Sequence, residues 1–272
     1  MVRIIIALLF CFPVAICAQT YQQLSEKAIE CIENDSLPQA EELLLQALKL
    51  EPKNGKNALL FSNLGLVQRR LGEFDKALES YSFALNFAPL AVPILLDRAA
   101  IYMEMGKIDR AYTDYCQVFD EDKQNKEALL MRAYIYVLRR DYPAARIDYN
   151  RLLEIEPQSY SGRLGLATLE QKEGKFREAL EILNKMLATT PEDVTLYIAR
   201  ADVEREMKHE DLAMVDLEEA IRLDAASADA YLLRGNIYLV QKKKGLAKAD
   251  FEKAISLGVP PADLHEQLRQ CK

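Results

Sequence analysis

Beyond an opening apolar stretch, hydrophobic and polar positions along this chain recur with a period of 34 residues. "GEFDKALESYSFAL" at 72–85 returns three periods later as "GKFREALEILNKML" at 174–187. Stepping by the period gives seven repeats: 21–54, 58–91, 92–125, 126–159, 160–193, 194–227 and 228–261. Only the insertion at 55–57 breaks the register, and residues 262–272 are left over. Inside each repeat, two runs with apolar residues at three- and four-residue spacing predict two amphipathic helices joined by a short turn. In 126–159 the first run ends near Arg140 and Asp141, the second spans about Ala144 to Glu154, and Pro157 stops it. Gly72, Gly106 and Gly174 occupy the equivalent turn position, and Pro52, Pro89, Pro157 and Pro191 close four of the repeats.

The second helix of each repeat also carries a small-then-large signature. Ala77, Ala111, Ala145, Ala179, Ala213 and Ala247 are followed four residues later by Tyr81, Tyr115, Tyr149, Leu183, Leu217 and Phe251. A small residue lets two helices cross closely, and the large one fills the adjoining gap. Repeat 58–91 has Phe61, Leu64, Gly65, Ala77, Tyr81, Ala84 and Pro89; repeat 228–261 has Tyr231, Gly235, Tyr238, Ala247, Phe251 and Ala254. In these residues and spacings the chain resembles the tetratricopeptide repeat family, over the whole of 21–261. The resemblance implies an all-α fold, a right-handed superhelical solenoid of helix-turn-helix hairpins over 19–272. Leu264, Leu268 and Cys271 form a stripe suited to a C-terminal capping helix over 262–272. Lys27 and Cys31 depart from the packing pattern in the first repeat, as terminal repeats do.

A charge stands among the apolar residues of "LMRAYIY" (130–136): Arg132, at position 7 of its repeat. Arg98, Arg200 and Arg234 occupy the same position elsewhere. The same four repeats carry Asp114, Asp148, Asp216 and Asp250 at position 23, and the other three repeats lack both residues. Positions 7 and 23 are equidistant from the turn, so they face each other across the hairpin. Each arginine is therefore assigned to the aspartate of its own repeat rather than to an anionic ligand. In repeat 160–193, Arg163 and Glu170 replace residues that are apolar or tyrosine elsewhere, and a pairing between them is expected.

The opening stretch "MVRIIIALLFCFPVAICAQT" has one arginine ahead of an apolar run ending at Ala18. It is short for a membrane span and reads as a signal peptide, 1–18, so the chain is expected to be exported, periplasmic or secreted. Without it the chain has 34 basic and 42 acidic residues, net −8. That excess repels phosphate backbones and argues against nucleic acid as a partner. Cys31, Cys116 and Cys271 are an odd, widely spaced set, not a disulfide framework.

Catalytic chemistry is poorly supplied, and neither an enzymatic activity nor a cofactor is expected. "HEQLR" at 265–269 begins like a zinc site, but Arg269 replaces the second histidine. "DEDKQNKE" at 120–127 lacks the glycine and final glutamate of a calcium loop, and "NDS" at 34–36 reads as an ordinary turn. In the resembled family the first helices of the hairpins line a concave groove that takes peptides. Its groove positions fall here on Leu96, Met103, Leu130, Tyr134, Val137, Leu138 and Asn236, with Thr168, Gln171, Lys172, Asp202 and Arg205 between. The family's carboxylate clamp, a Lys and Asn set that reads a peptide C-terminus, is not matched: Ser62 and Leu66 stand in its first position pair. The expected function is a non-catalytic, exported scaffold or adaptor that binds a protein segment in the groove. The competing expectation is a periplasmic assembly factor or chaperone of broad peptide specificity.

Overall fold

The computed structural model describes residues 20–272, so the apolar run read as a signal peptide lies outside the described residues. These residues are all-α, a solenoid of helical hairpins, and they form two compact units meeting at Glu121 and Asp122. The N-terminal unit holds α1 (Tyr21–Glu33), α2 (Leu37–Leu50), α3 (Asn57–Arg70), α4 (Phe74–Phe87), α5 (Val92–Glu104) and α6 (Ile108–Glu121). The C-terminal unit holds α7 (Lys126–Leu138), α8 (Tyr142–Ile155), α9 (Tyr160–Lys172), α10 (Phe176–Thr189), α11 (Val194–Glu206), α12 (Glu210–Leu223), α13 (Ala228–Val240) and α14 (Lys244–Ser256). A 3₁₀ turn, Pro261–Leu264, and α15 (His265–Gln270) follow. None of the described helices is long and apolar enough to cross a membrane.

Helix starts follow local chemistry. Asn125, Asp141, Ser159 and Asp193 each accept a hydrogen bond from a backbone N–H in the first turn of the helix they open. Thr20 and Gln23 form a reciprocal capping box on α1. The hairpin turns share one geometry. The residue at position 15 of every repeat is left-handed: Gly72, Gly106 and Gly174, but also Asp35, Arg140, Lys208 and Lys242. The next residue's N–H reaches back five residues in each case, as from Asp141 to the Tyr136 carbonyl and from His209 to that of Glu204. This tight wrap satisfies carbonyls that the helix end would otherwise leave open. Four turns thus adopt, without glycine, a conformation that disfavours a side chain.

Packing uses the small-then-large signature. Ala77, Ala145, Ala179, Ala213 and Ala247 are fully buried, and so are their large partners four residues on. Gly65 and Gly235 let the Tyr81 and Phe251 rings lie directly on the facing helix, since a Cβ at either glycine would come within 3.0 Å of ring carbons. In the N-terminal unit, α1 packs on α3 and α3 on α5; in the C-terminal unit, α7, α9, α11 and α13 pack in succession. The even-numbered helices pack chiefly on these odd-numbered ones. The odd helices therefore form the inner layer of each unit. At the C-terminal end Leu264 is buried, and Leu268 and Cys271 pack beside it on the core of α13 and α14, closing the last hairpin.

Candidate protein-binding face

The four arginines at position 7 are committed within their own hairpins. Arg98, Arg200 and Arg234 each fork onto Asp114, Asp216 and Asp250 with paired N···O distances of 2.6–2.8 Å. Arg132 meets Asp148 more loosely, at 3.1 and 3.4 Å. Tyr102, Tyr136 and Tyr238, one turn further along, lie under the guanidinium groups of Arg98, Arg132 and Arg234 at 5.9 Å. Arg98 also reaches Ser82, and Arg200 reaches Asn184, each on the preceding hairpin. The arginines are internal braces, each sandwiched between a carboxylate and a ring.

The expected Arg163–Glu170 pair does not form. Arg163 donates to Gln158 at the surface. Glu170 is buried and takes a two-pronged contact from Arg146 of α8, at 2.5 and 2.9 Å; Glu173 meets the same guanidinium. Residues seven apart on a helix are separated by about 10.5 Å of rise, so Arg146 on the adjacent helix is the nearer charge. The bond to Glu170 holds the Arg146 guanidinium above its ordinary value, against the opposing effect of its own burial. Cys31, Cys116 and Cys271 are free thiols, and Arg269 pairs with Glu266.

The groove positions occupy two inner faces. Leu96 and Met103 lie on α5 of the N-terminal unit, both half-buried. Beside them Arg69 of α3 pairs with Glu104, and Arg70 pairs with Asp35 across to the first hairpin. In the C-terminal unit, α7 gathers Leu130, Tyr134, Val137 and Leu138 into one stripe. Tyr134 and Leu138 are 45% and 51% exposed. Leu130 and Val137 are half-buried on a core of Ala133, Ala145, Tyr149 and Leu169. The stripe is thus an exposed rim on a packed base. Asn236 is exposed on α13, separated from the stripe by α9 and α11. Between them the face is polar: Gln171 donates to Asp202 at 2.8 Å, and Arg205 binds the same carboxylate at 2.6 Å. A larger hollow of about 800 Å³ lies on α8, lined by Ile147, Asn150, Arg151 and Glu154 among others, but it is an open trough on the outer layer.

Two tyrosines of the outer helices send their hydroxyls towards the inner faces. Tyr81 of α4 points at the half-buried Asp97 on α5, with Arg69 close by, but its buried hydroxyl has no hydrogen-bond partner among the described residues; burial pushes both the phenol and the Asp97 carboxyl up. Tyr149 of α8 reaches α9 at Gly165, where a Cβ would sit 2.5–2.7 Å from its ring edge and hydroxyl. Sequence reasoning read Tyr149 only as packing and passed over Gly165. The signal was present, because Gly165 stands at position 6, two residues before the position that holds Gly65 and Gly235, where this repeat has Ala167.

Models of the tetratricopeptide repeat match residues 96–160 and 228–257. A solved tetratricopeptide repeat protein from Parabacteroides merdae ATCC 43184 is 36% identical; the match covers 92% of this chain and 98% of that one, with a TM-score of 0.84. The chain belongs to the tetratricopeptide repeat family. The C-terminal part of a repeat protein from Cytophaga hutchinsonii shares the fold at 17% identity, 91% and 99% coverage and a TM-score of 0.60. So does YrrB, described as a TPR protein with an unusual peptide-binding site, at 17% identity, 74% and 97% coverage and a TM-score of 0.56. No curated protein matches the sequence.

Proposed function

We propose that this protein is a non-catalytic interaction scaffold that takes a segment of a partner protein on the inner face of its helical hairpins. The observation that carries this reading is the α7 stripe: a tyrosine and a leucine about half exposed, side by side on an inner helix and backed by packed core. Exposed apolar patches on otherwise polar surfaces mark interaction sites, and inner-layer helices offer an extended or helical segment a shaped surface. YrrB, of the same fold, is a precedent for a peptide site on such a scaffold. Export, read from residues 1–18, belongs to the same proposal and places the partner outside the cytoplasm. Intact-mass measurement on protein from its native host should find a chain beginning near Gln19; a full-length product would remove export from the reading.

The binding test compares two tyrosines on one helix. Tyr134→Ala should weaken partner capture by about tenfold, or about 1.4 kcal/mol, with the melting temperature unchanged. Tyr136 is half-buried beneath Arg132, so Tyr136→Ala should lower the melting temperature and affect capture only through stability. If Tyr134→Ala destabilises as much as Tyr136→Ala and leaves capture intact, the stripe is core and the reading fails. Similar weak binding of many unrelated unfolded peptides would replace the scaffold with a broad-specificity chaperone.

A further inference from the structure

The inner face of the N-terminal unit holds a polar pair that the fold leaves unfinished. Tyr81 of α4 is fully buried, and its hydroxyl, aimed at Asp97 on α5, has no hydrogen-bond partner among the described residues. Asp97 is half-buried, and burial pushes its carboxyl up. Arg69 of α3 stands close to it, but that guanidinium pairs with Glu104 instead. Arg69 and Tyr81 are the charged or titratable groups around the Asp97 carboxyl. Buried polar groups in folded proteins are nearly always satisfied. An orphaned phenol behind an unpaired carboxylate therefore points to a ligand that completes them.

A second observation comes from comparing repeats. Position 6 holds Glu26, Asn63 and Asp97 on α1, α3 and α5, an oxygen acceptor on each inner helix of this unit. In the C-terminal unit the same position holds Met131, Gly165, Ala199 and Leu233, none with a side-chain oxygen. A hollow of about 540 Å³ opens at the α1 end of this row, where Glu26 lines it with Ile29, Glu51 and Leu59. Ile29 and Leu59 are 40% and 58% exposed. Lys56 is the one base of the hollow's described lining.

We propose that the inner face of the N-terminal unit binds a basic, extended segment of a partner protein, with one cationic side chain on Asp97, a second on Glu26, and an apolar residue against Ile29 and Leu59. The first cation takes the outward oxygen of Asp97 and keeps the carboxyl ionised. Burial keeps the Tyr81 phenol protonated, so it then donates to the inward oxygen. Asn63, between the two acids, offers an acceptor to a backbone N–H of the segment. An acidic segment finds no such complement, because Arg69 and Arg70 are already taken by Glu104 and Asp35. In the inner layer α3 stands between α1 and α5. Adjacent helix axes lie about 8–10 Å apart, and an extended chain advances about 3.3 Å per residue, so the two cations should stand about six residues apart. The inference carries the reading of the inner face given above to a second unit, and it does not depend on the α7 stripe.

The test uses the chain from Gln19 onward and fluorescein-labelled Gly-Ser peptides carrying a Leu and a pair of Arg about six residues apart, or Gln or Glu in place of both Arg. The expected order of affinity is Arg, then Gln, then Glu, with a span of about tenfold or more at low salt. Asp97→Asn should weaken the Arg peptide about tenfold and leave the Gln peptide unchanged. Tyr81→Phe should weaken the Arg peptide about threefold and spare the Gln peptide, with the melting temperature unchanged or raised. A tyrosine with a structural role alone would move both peptides alike. Glu79→Gln, an equal change of charge on the exposed side of α4, should leave the Arg peptide as it was. The inference is overturned if no peptide binds, if the Arg and Glu peptides bind alike, or if Asp97→Asn leaves the Arg peptide unaffected. It is also overturned if Glu79→Gln weakens the Arg peptide as much as Asp97→Asn does, since the acidic chain as a whole is then the attraction. Should it fail while Tyr134→Ala still removes partner capture, the α7 stripe stands without it. Should the Arg peptide behave as expected while Tyr134→Ala leaves capture intact, the stripe falls and the site at Asp97 remains.

Discussion

Removing one partner of the Arg132–Asp148 pair isolates a charge inside a hairpin, and its cost can be worked from the geometry. The two side chains are 11% and 3% exposed. Exposed pairs contribute about 0.2–1 kcal/mol, whereas breaking a buried pair costs about 3–5 kcal/mol. Burial places this pair near the second range, and its contacts of 3.1 and 3.4 Å, longer than the roughly 2.7–2.9 Å of strong charge-assisted bonds, place it at the low end. Asp148→Ala leaves a guanidinium that cannot shed its charge, although Tyr136 still faces it. The expected cost is about 3 kcal/mol. Arg132→Ala should cost less, about 2 kcal/mol, because the stranded acid can protonate. Burial already pushes the Asp148 carboxyl up, with Arg132 and then Arg151 opposing. A double-mutant cycle should return a coupling of about 1–2 kcal/mol. Arg200–Asp216, with its 2.6 and 2.8 Å contacts, should couple more strongly. Urea unfolding followed by circular dichroism measures each corner, fitted with a nearest-neighbour repeat model because solenoids need not unfold in one step. A coupling below about 0.3 kcal/mol, within the error of additive sites, or an equal cost for the two single variants, would refute the account of an internal brace.

Other expectations rest on different features. Gly165→Ala puts a methyl 2.5 Å from the Tyr149 ring and should destabilise by about 1–3 kcal/mol, measured by thermal melting, while Gly55→Ala, with nothing nearby, should not. Lys208→Gly relieves a left-handed side chain at φ 65° and should raise stability by up to about 1 kcal/mol in urea, part of the gain being offset by unfolded-state entropy. Burial pushes the phenols of Tyr149 and Tyr160 up to about 12. A folded-state value above the unfolded one near 10 means their contribution is complete below pH 10 and is lost as the pH rises towards 12. Tyrosinate absorbance should show late-titrating phenols, Tyr81, Tyr149 and Tyr160 among them, and Tyr149→Phe should flatten part of the alkaline loss of stability.

Much of the architecture was legible because it is periodic. Seven copies in one chain are an internal comparison, and Arg with Asp at positions 7 and 23 occur together in four repeats and are jointly absent from three. The pairing could therefore be read before any distance was known. The turns were legible only where glycine marked them. Asp35, Arg140, Lys208 and Lys242 adopt the same left-handed conformation without a local signal, since the hairpin packing on either side imposes it.

The period, the two helices per repeat, the buried small-then-large packing and the apolar character of α7 were determined by the sequence itself, because they depend on neighbours within one hairpin. The partner of Glu170, the division into two compact units and the setting of Tyr149 were decided by tertiary structure. Each depends on which residues of successive hairpins meet. Glu170 has Arg163 on its own helix, but packing α8 on α9 brings Arg146 closer. Tyr149 and Gly165 are sixteen residues apart in the chain, and only the stacking of one hairpin on the next lays the ring on the bare backbone. Local spacing specifies a helix face; the relative placement of two faces is set by side-chain volumes summed over the whole interface, which no short stretch of sequence contains.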